Sequence, residues 1–151
     1  MKVSSVSTPI DIAVSGLKAE NLRMNVIANN IANANTTRTQ EGGPYQRMRT
    51  VFAPRVDASR EFAPLLSTMT KDGIPMGVRV TSIQKDTSPP RMVFDPGHPD
   101  ANAEGYVAMP NVNVVNEMVD LISASRAYEA NVTAMNAAKS MALKALDIGR
   151  G

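Results

Sequence analysis

The sequence predicts a mainly α chain in which long N- and C-terminal helices pack as an antiparallel coiled coil around a small strand- and turn-rich insert. Three observations carry this reading. Nine of the ten prolines lie between Pro44 and Pro110, and six of the nine glycines lie between Gly42 and Gly105. The flanks, of about 27 and 35 residues, are almost free of both helix breakers. Each flank repeats apolar residues at helical spacing, whereas the middle has β-branched and aromatic runs bounded by turn residues. The implied organisation is a discontinuous helical core, residues 1–36 and 112–151, and a β-rich middle, residues 37–111, with an extended loop over 58–76.

The first helix has a start signal in Thr8 as N-cap, Pro9 at the first helical position and Asp11 three residues after Thr8. Proline loses nothing there, because its missing N–H would be unpaired anyway, and a carboxylate suits the positive helix end. Ile10, Leu17, Met24 and Ile31 then recur every seven residues, with Ala13, Ile27 and Ala34 three residues after the first, third and fourth. That is an a/d heptad seam, interrupted only by Glu20. The asparagine-rich stretch Asn29–Thr36 is expected to end the helix, since Asn tolerates left-handed backbone and competes for backbone hydrogen bonds.

The second helix is expected to begin near Asn113 and to run toward Gly149. Leu121, Tyr128, Val132, Met135, Ala142 and Leu146 share one stripe, and Ala127, Ala130, Ala134, Ala138, Met141 and Ala145 share another. Small side chains on the second face permit close approach of other helices. The residues expected to pack are Ile10, Leu17, Met24, Ile27 and Ile31 against Leu121, Tyr128, Val132, Met135 and Leu146, which leaves the Ala face for neighbours. Helices of this kind are marginal alone in water, so firm folding is expected only against other chains. Between them, Tyr45–Val56, Val78–Lys85, Arg91–Phe94 and Tyr106–Met109 read as strands, interrupted or bounded by prolines.

Composition narrows the function. Sixteen basic residues against fourteen acidic ones leave a net charge of +2, and no segment carries a dense cationic stripe, so a nucleic-acid partner is not expected. The absence of Cys excludes disulfides, thiolate metal sites and cysteine nucleophiles. No run reaches the roughly 18 apolar residues of a membrane span. The first 20 residues lack the apolar core of a cleavable signal peptide, so none is expected.

One stretch invites chemistry. His98, the single histidine, lies within Asp95–Gly105, where Asp100, Asn102 and Glu104 imitate the opening of a calcium loop. The twelfth position of such a loop requires a bidentate Glu, and here it is Asn111. A packed Pro/Gly/Asx turn is the better reading. No phosphate-binding glycine loop or nucleophile elbow occurs, so no enzyme activity, cofactor, metal or small-molecule substrate is expected.

The chain resembles the axial proteins of the bacterial flagellum, and within them the proteins of the proximal rod. The motifs that carry this are Leu17 followed by Asn29-Asn30-Ile31-Ala32-Asn33-Ala34-Asn35-Thr36 and the stretch Val93–Ala101, containing Asp95-Pro96-Gly97. The run Gly105-Tyr106-Val107-Ala108-Met109-Pro110-Asn111-Val112-Asn113, then Glu117-Met118-Val119 and Ser123–Val132, completes them. The resemblance covers nearly the whole chain apart from about residues 52–76. It implies a structural subunit that assembles helically with copies of itself and other rod proteins into a drive shaft and export channel. It further implies passage through the flagellar type III export system without a cleaved signal, a place in the periplasm-spanning basal body, and neighbours in the membrane ring and export apparatus. A sister rod or hook-basal protein and a secreted coiled-coil adaptor of the export system are the alternatives.

Overall fold

The computed structural model describes residues 7–55 and 77–149, so the loop expected over 58–76 lies outside the described residues. Two long helices, α1 (Ser7–Ala32) and α2 (Val114–Ile148), flank four strands: β1 (Met48–Pro54), β2 (Val78–Lys85), β3 (Arg91–Phe94) and β4 (Tyr106–Met109). The strands form two separate two-stranded sheets, β1–β2 and β3–β4. No helix among the described residues is long and apolar enough to cross a membrane.

The helix starts differ in how well they match expectation. α1 begins at Ser7, so Thr8 and Pro9 lie inside its first turn instead of capping it, and Asp11 falls just beyond that turn. Pro9 is still accommodated, because the first-turn amides have no intrahelical partner. At the other end of α1, the asparagines stop the helix at Ala32, and a hydrogen bond from the Thr36 amide to the Asn33 carbonyl (3.0 Å) closes the turn that follows. α2 begins beside Asn113 as expected, and Asn113 caps it: its Oδ1 accepts the amides of Val115 (3.0 Å) and Asn116 (3.2 Å).

Three strands match their expected bounds, but β1 starts at Met48, not Tyr45. The reason is where the backbone bonds go. The Tyr45 amide donates to the Thr36 carbonyl (3.0 Å), and the Arg47 amide donates to Asn111 Oδ1 (3.0 Å). These residues connect to distant loops instead of extending a ladder. Hydrogen bonds from the Arg55 amide to the Gly77 carbonyl (2.8 Å) and from the Asp86 amide to the Arg47 carbonyl (2.7 Å) mark the two ends of the antiparallel β1–β2 pair. In the antiparallel β3–β4 hairpin, Val93 faces Val107 and Phe94 faces Tyr106. The Phe94 and Tyr106 rings meet edge to face, with centroids 5.3 Å apart.

The chain divides into two compact units, each holding parts of both helices. One unit takes the described residues up to Asn21, those within Phe52–Thr81 and those from Arg126 onward. Its buried residues include Ala13, Ser15, Ala19 and Ala138. Small side chains make this packing close: a Cβ on Gly16 would stand 2.8 Å from Asn131 Oδ1. Ser15 Oγ donates to the Ile12 carbonyl (2.7 Å) and accepts the Val78 amide (3.0 Å), tying α1 to the start of β2.

Gly77 sits directly against that latch, with φ +108°, and a Cβ there would overlap Ser15 Oγ. Backbone strain and steric overlap therefore act together at one position. Gly77→Ala is expected to lower stability by about 2–3 kcal/mol, read as a shift of the urea midpoint. Ser15→Ala, which opens the space but removes the latch, is expected to cost about 1 kcal/mol.

The second unit comprises Leu22–Val51 and Ser82–Ser125, and buries Val26, Ile27, Ala34, Val107, Val112 and Ala124. On α1 the buried residues are Ala13, Ser15, Gly16, Ala19, Val26, Ile27 and Asn30, of which Ala13 and Ile27 belong to the expected heptad seam and the other five lie on the neighbouring face. Ile10, Leu17, Met24 and Ile31 are only half-buried, as is Glu20. Small residues let backbones approach, which pushes the larger seam side chains to the margin of the packed face.

Candidate functional site

The first turns of α2 place Glu117 inward, four residues after its cap, where the positive helix end suits a carboxylate. Glu117 is 1 % exposed, the largest fully buried side chain among the described residues. A buried carboxylate has to be paired and hydrogen-bonded. Its Oε1 accepts Arg47 Nε at 2.6 Å, and its Oε2 accepts Asn30 Nδ2 at 2.9 Å. Three segments, α1, the approach to β1 and α2, therefore meet on one side chain.

Asn30 completes the junction and is itself fully buried. Besides Glu117, its Nδ2 donates to the Met48 carbonyl (2.7 Å), and its Oδ1 accepts the Met48 amide (2.9 Å) and the Tyr45 hydroxyl (2.9 Å). All four hydrogen-bonding positions of the side-chain amide are used. By bonding both polar groups of Met48, it pairs with the first residue of β1 as a neighbouring strand would. Burial, and then the nearby Glu117 charge, raises the Tyr45 pKa, which keeps the phenol protonated as a donor.

Around this core lies a groove of about 470 Å³ lined by Arg47, Asp86, Asn111, Asn113, Asn116, Glu117, Val119 and Asp120. Arg47 reaches Asp86 (3.9 Å) and Asp120 (3.6 Å) as well as Glu117, and Arg23 also reaches Asp120 (3.5 Å). Asn111 accepts the Arg47 amide and donates to the Asp86 and Ser88 carbonyls (3.4 and 3.3 Å), stapling β1 to the β2–β3 connection. The hydroxyl and amide of Ser88, and then Arg49 and Arg47, hold the Asp86 pKa below its ordinary value. A depressed carboxyl pKa contributes stability above the unfolded value of about 4, and that contribution disappears as pH falls through the folded pKa. The urea midpoint is expected to drop below about pH 4, and Asp86→Asn is expected to flatten that limb.

The Asp95–Gly105 stretch is the connection of the β3–β4 hairpin, and its polar groups bond one another. Asp95 Oδ1 accepts the Gly97 amide, Asn102 Oδ1 accepts those of Glu104 and Tyr106, and His98 Nδ1 accepts that of Asp100. Asp100 in turn accepts Thr37 Oγ1 at 2.8 Å and lies 3.9 Å from Arg38. Gly105 has φ +83°, with the Phe94 ring where a Cβ would stand. Pro96 is exposed and Pro110 is buried. Among the described residues, no group of three His, Asp or Glu could hold a metal ion.

Of the motif residues singled out in the sequence, the structure brings Asn30 and Asn111 together at the junction. Asn29 and Asn33 donate to helix carbonyls, those of Asn25 (3.0 Å) and Asn29 (2.9 Å), and Asn33 Oδ1 accepts the Thr36 hydroxyl (3.2 Å). Glu117 belongs to the sequence motif without an assigned role there, and it carries the junction with Arg47 and Tyr45, which were not singled out as site residues. Of the packing residues, Ile27 is buried, while Leu121, Tyr128, Val132 and Met135 are half-buried. Leu146 is 65 % exposed, so within a single chain it is a surface residue among the apolar last turns of α2.

This arrangement ties three backbone segments together through one buried carboxylate and one buried amide. Two family models match the segments it joins. The model for flagella basal body rod proteins matches residues 10–40, which include Asn30, and the C-terminal model for flagellar basal body rod FlgEFG proteins matches residues 103–148, which include Glu117. The flagellar basal-body rod proteins are thus the class. Among relatives, the basal-body rod protein FlgC of Borreliella burgdorferi is 53 % identical over 146 residues, covering 94 % of this chain and 96 % of its own. FlgC of Bacillus subtilis is 44 % identical (93 % and 96 % covered), and FlgC of Salmonella typhimurium 45 % (93 % and 95 %). The chain belongs to the FlgC family, structural subunits of the flagellar basal-body rod that are not enzymes.

Proposed function

We propose that the chain forms part of the proximal rod, assembling helically with other rod proteins and copies of itself to transmit torque and enclose the export channel. The observation that supports this best is the amount of apolar helix surface left uncovered in the single chain. Met118, Val119 and Ile122 near the start of α2, and Met141, Leu146 and Ile148 near its end, are all more than half exposed. Single exposed apolar residues are ordinary, but runs of them at helical spacing call for neighbours. The half-buried seam of Ile10, Leu17, Met24 and Ile31 has the same property, with one side packed and one open. In this reading the residues from Ile10 to Leu146 named above pack both within the subunit and between subunits.

The chain leaves the cytoplasm by the flagellar type III system without a cleaved signal and folds firmly on assembly, where neighbours cover these faces. Its surroundings are then the periplasm-spanning rod, the membrane ring and the export apparatus, with no nucleic acid and no small-molecule substrate. Mass spectrometry of purified hook–basal bodies tests the assignment: the chain is expected in fixed proportion to other rod subunits. Its absence from intact basal bodies would leave the secreted adaptor as the better account. Met24→Asp is expected to abolish stable incorporation by placing a charge on the half-covered seam, measured as loss of the chain from the same preparation.

A further inference from the structure

The early turns of α2 carry an exposed ridge, in which Val115, Met118, Val119 and Ile122 occupy i, i+3, i+4 and i+7. Val119 also lines the groove, so ridge and groove form one continuous surface. Three carboxylates, Asp86, Glu117 and Asp120, line that groove with Arg47, and Arg23 pairs with Asp120 as well. Asp120 is 41 % exposed, and its two arginine contacts are no shorter than 3.5 Å, which leaves it open to a further cation. Near its other end α2 repeats the same spacing in Met141, Lys144, Ala145 and Ile148, all exposed, with a cation where the first ridge has Met118.

We propose that the Val115–Ile122 ridge and its groove receive the Met141–Ile148 end of α2 from a second copy of this chain, with Lys144 directed to Asp120. The inference rests on the rod reading and names one interface within it. Matching spacing lets the two ridges interdigitate. The lysine stem covers apolar surface while its ammonium group reaches the acidic groove. The two patches are different, so the contact is head-to-tail and open-ended, the kind that builds a helix of subunits and not a closed dimer. Four side chains a side fall short of the about 800 Å² per partner of a stable complex, so the contact forms in the assembly and not in dilute solution.

The absence of native cysteine permits a clean test. Val119→Cys and Ala145→Cys, both at exposed positions, are introduced together, and basal bodies from motile cells are oxidised and run on a non-reducing gel. A ladder of disulfide-linked multimers is expected from the double variant, with each single variant remaining monomeric. Adding Lys144→Glu is expected to reduce the ladder severalfold, and an undiminished ladder overturns the Lys144–Asp120 pairing. Double-variant chain present in basal bodies without a ladder overturns the interface while leaving the rod assignment intact. Wild-type chain missing from basal bodies overturns the rod assignment, and the inference with it.

Discussion

Asn30→Ala is expected to lower stability by about 3–5 kcal/mol, because the methyl group replaces no part of a fully used amide. The loss leaves the Met48 amide and carbonyl, the Tyr45 hydroxyl and one Glu117 oxygen without their partner in a buried to half-buried site. Each buried orphan costs about 1–3 kcal/mol, partly offset where water enters the space. Native stabilities are about 5–15 kcal/mol, so the variant should fall close to the folding threshold. The controls lie in the same motif. Asn29→Ala removes a bond only to a helix carbonyl, and Asn33→Ala removes one such bond and the half-exposed one from the Thr36 hydroxyl, so each is expected to cost less than about 0.5 kcal/mol. Asn30→Asp is isosteric, yet it removes both donors and sets a second carboxylate against Glu117, so it should be as damaging as Ala. Urea midpoints of the four chains, with incorporation into basal bodies as the readout in cells, check the ordering. Equal effects at positions 29, 30 and 33 would mean that the motif acts as a helix stop and not as a junction.

That contrast shows where sequence reasoning reached and where it stopped. The Asn29–Thr36 cluster was legible as a helix terminator, and α1 does stop within it, at Ala32. Nothing local distinguishes Asn30 from its neighbours, because its partners lie 18 and 87 residues away. A weak signal did exist in the helical phase. Asn30 lies four residues after Val26, eleven after Ala19 and fifteen after Ser15, on the face that carries most of the buried residues of α1. The heptad of Ile10, Leu17, Met24 and Ile31 drew attention to a neighbouring face, because large apolar residues dominate any hydrophobicity pattern. The strands were legible because β-branched runs bounded by Pro and Gly are local signals, and β2, β3 and β4 keep their expected limits. Where β1 begins was not, since it depends on Asn111 claiming the Arg47 amide from 64 residues away.

The calcium-like spacing of Asp100, Asn102 and Glu104 illustrates the opposite error that pattern alone invites. Each of these side-chain types is common both in metal loops and in Asx turns, because an oxygen that can ligate a cation can equally accept a nearby amide. The structure gives two of them internal roles. Asn102 accepts two amides of its own turn, and Asp100 accepts from Thr37, just beyond the motif that ends α1. The mismatch at Asn111 was the discriminating feature in the sequence, and Asn111 has an observable task as the staple between β1 and the β2–β3 connection.

Arg47→Met is expected to cost about 3–5 kcal/mol, chiefly through what it leaves behind. Glu117 would stay 1 % exposed with one Asn30 hydrogen bond and no cation within reach, although Met retains most of the packing volume of the arginine stem. The pair as a unit is worth much less than either deletion implies, because bringing both charges out of water offsets most of their attraction. Arg47→Met combined with Glu117→Met is therefore expected to recover a large part of the loss. The coupling energy in the double-mutant cycle should be about 1.5–3 kcal/mol. Recovery would be incomplete, since Asn30 Nδ2 loses its Glu117 acceptor and Asp86 and Asp120 lose a counter-ion. Salt separates this pair from the surface pairs. The Lys85–Glu41 contact is short at 2.6 Å but its side chains are 46 % and 78 % exposed, so Lys85→Met should cost little and less still at 1 M salt. The Arg47→Met penalty should change little over the same range. If the two substitutions responded alike to salt, Glu117 would be behaving as a solvated carboxylate, and the junction would owe its stability to Asn30 and Asn111 alone.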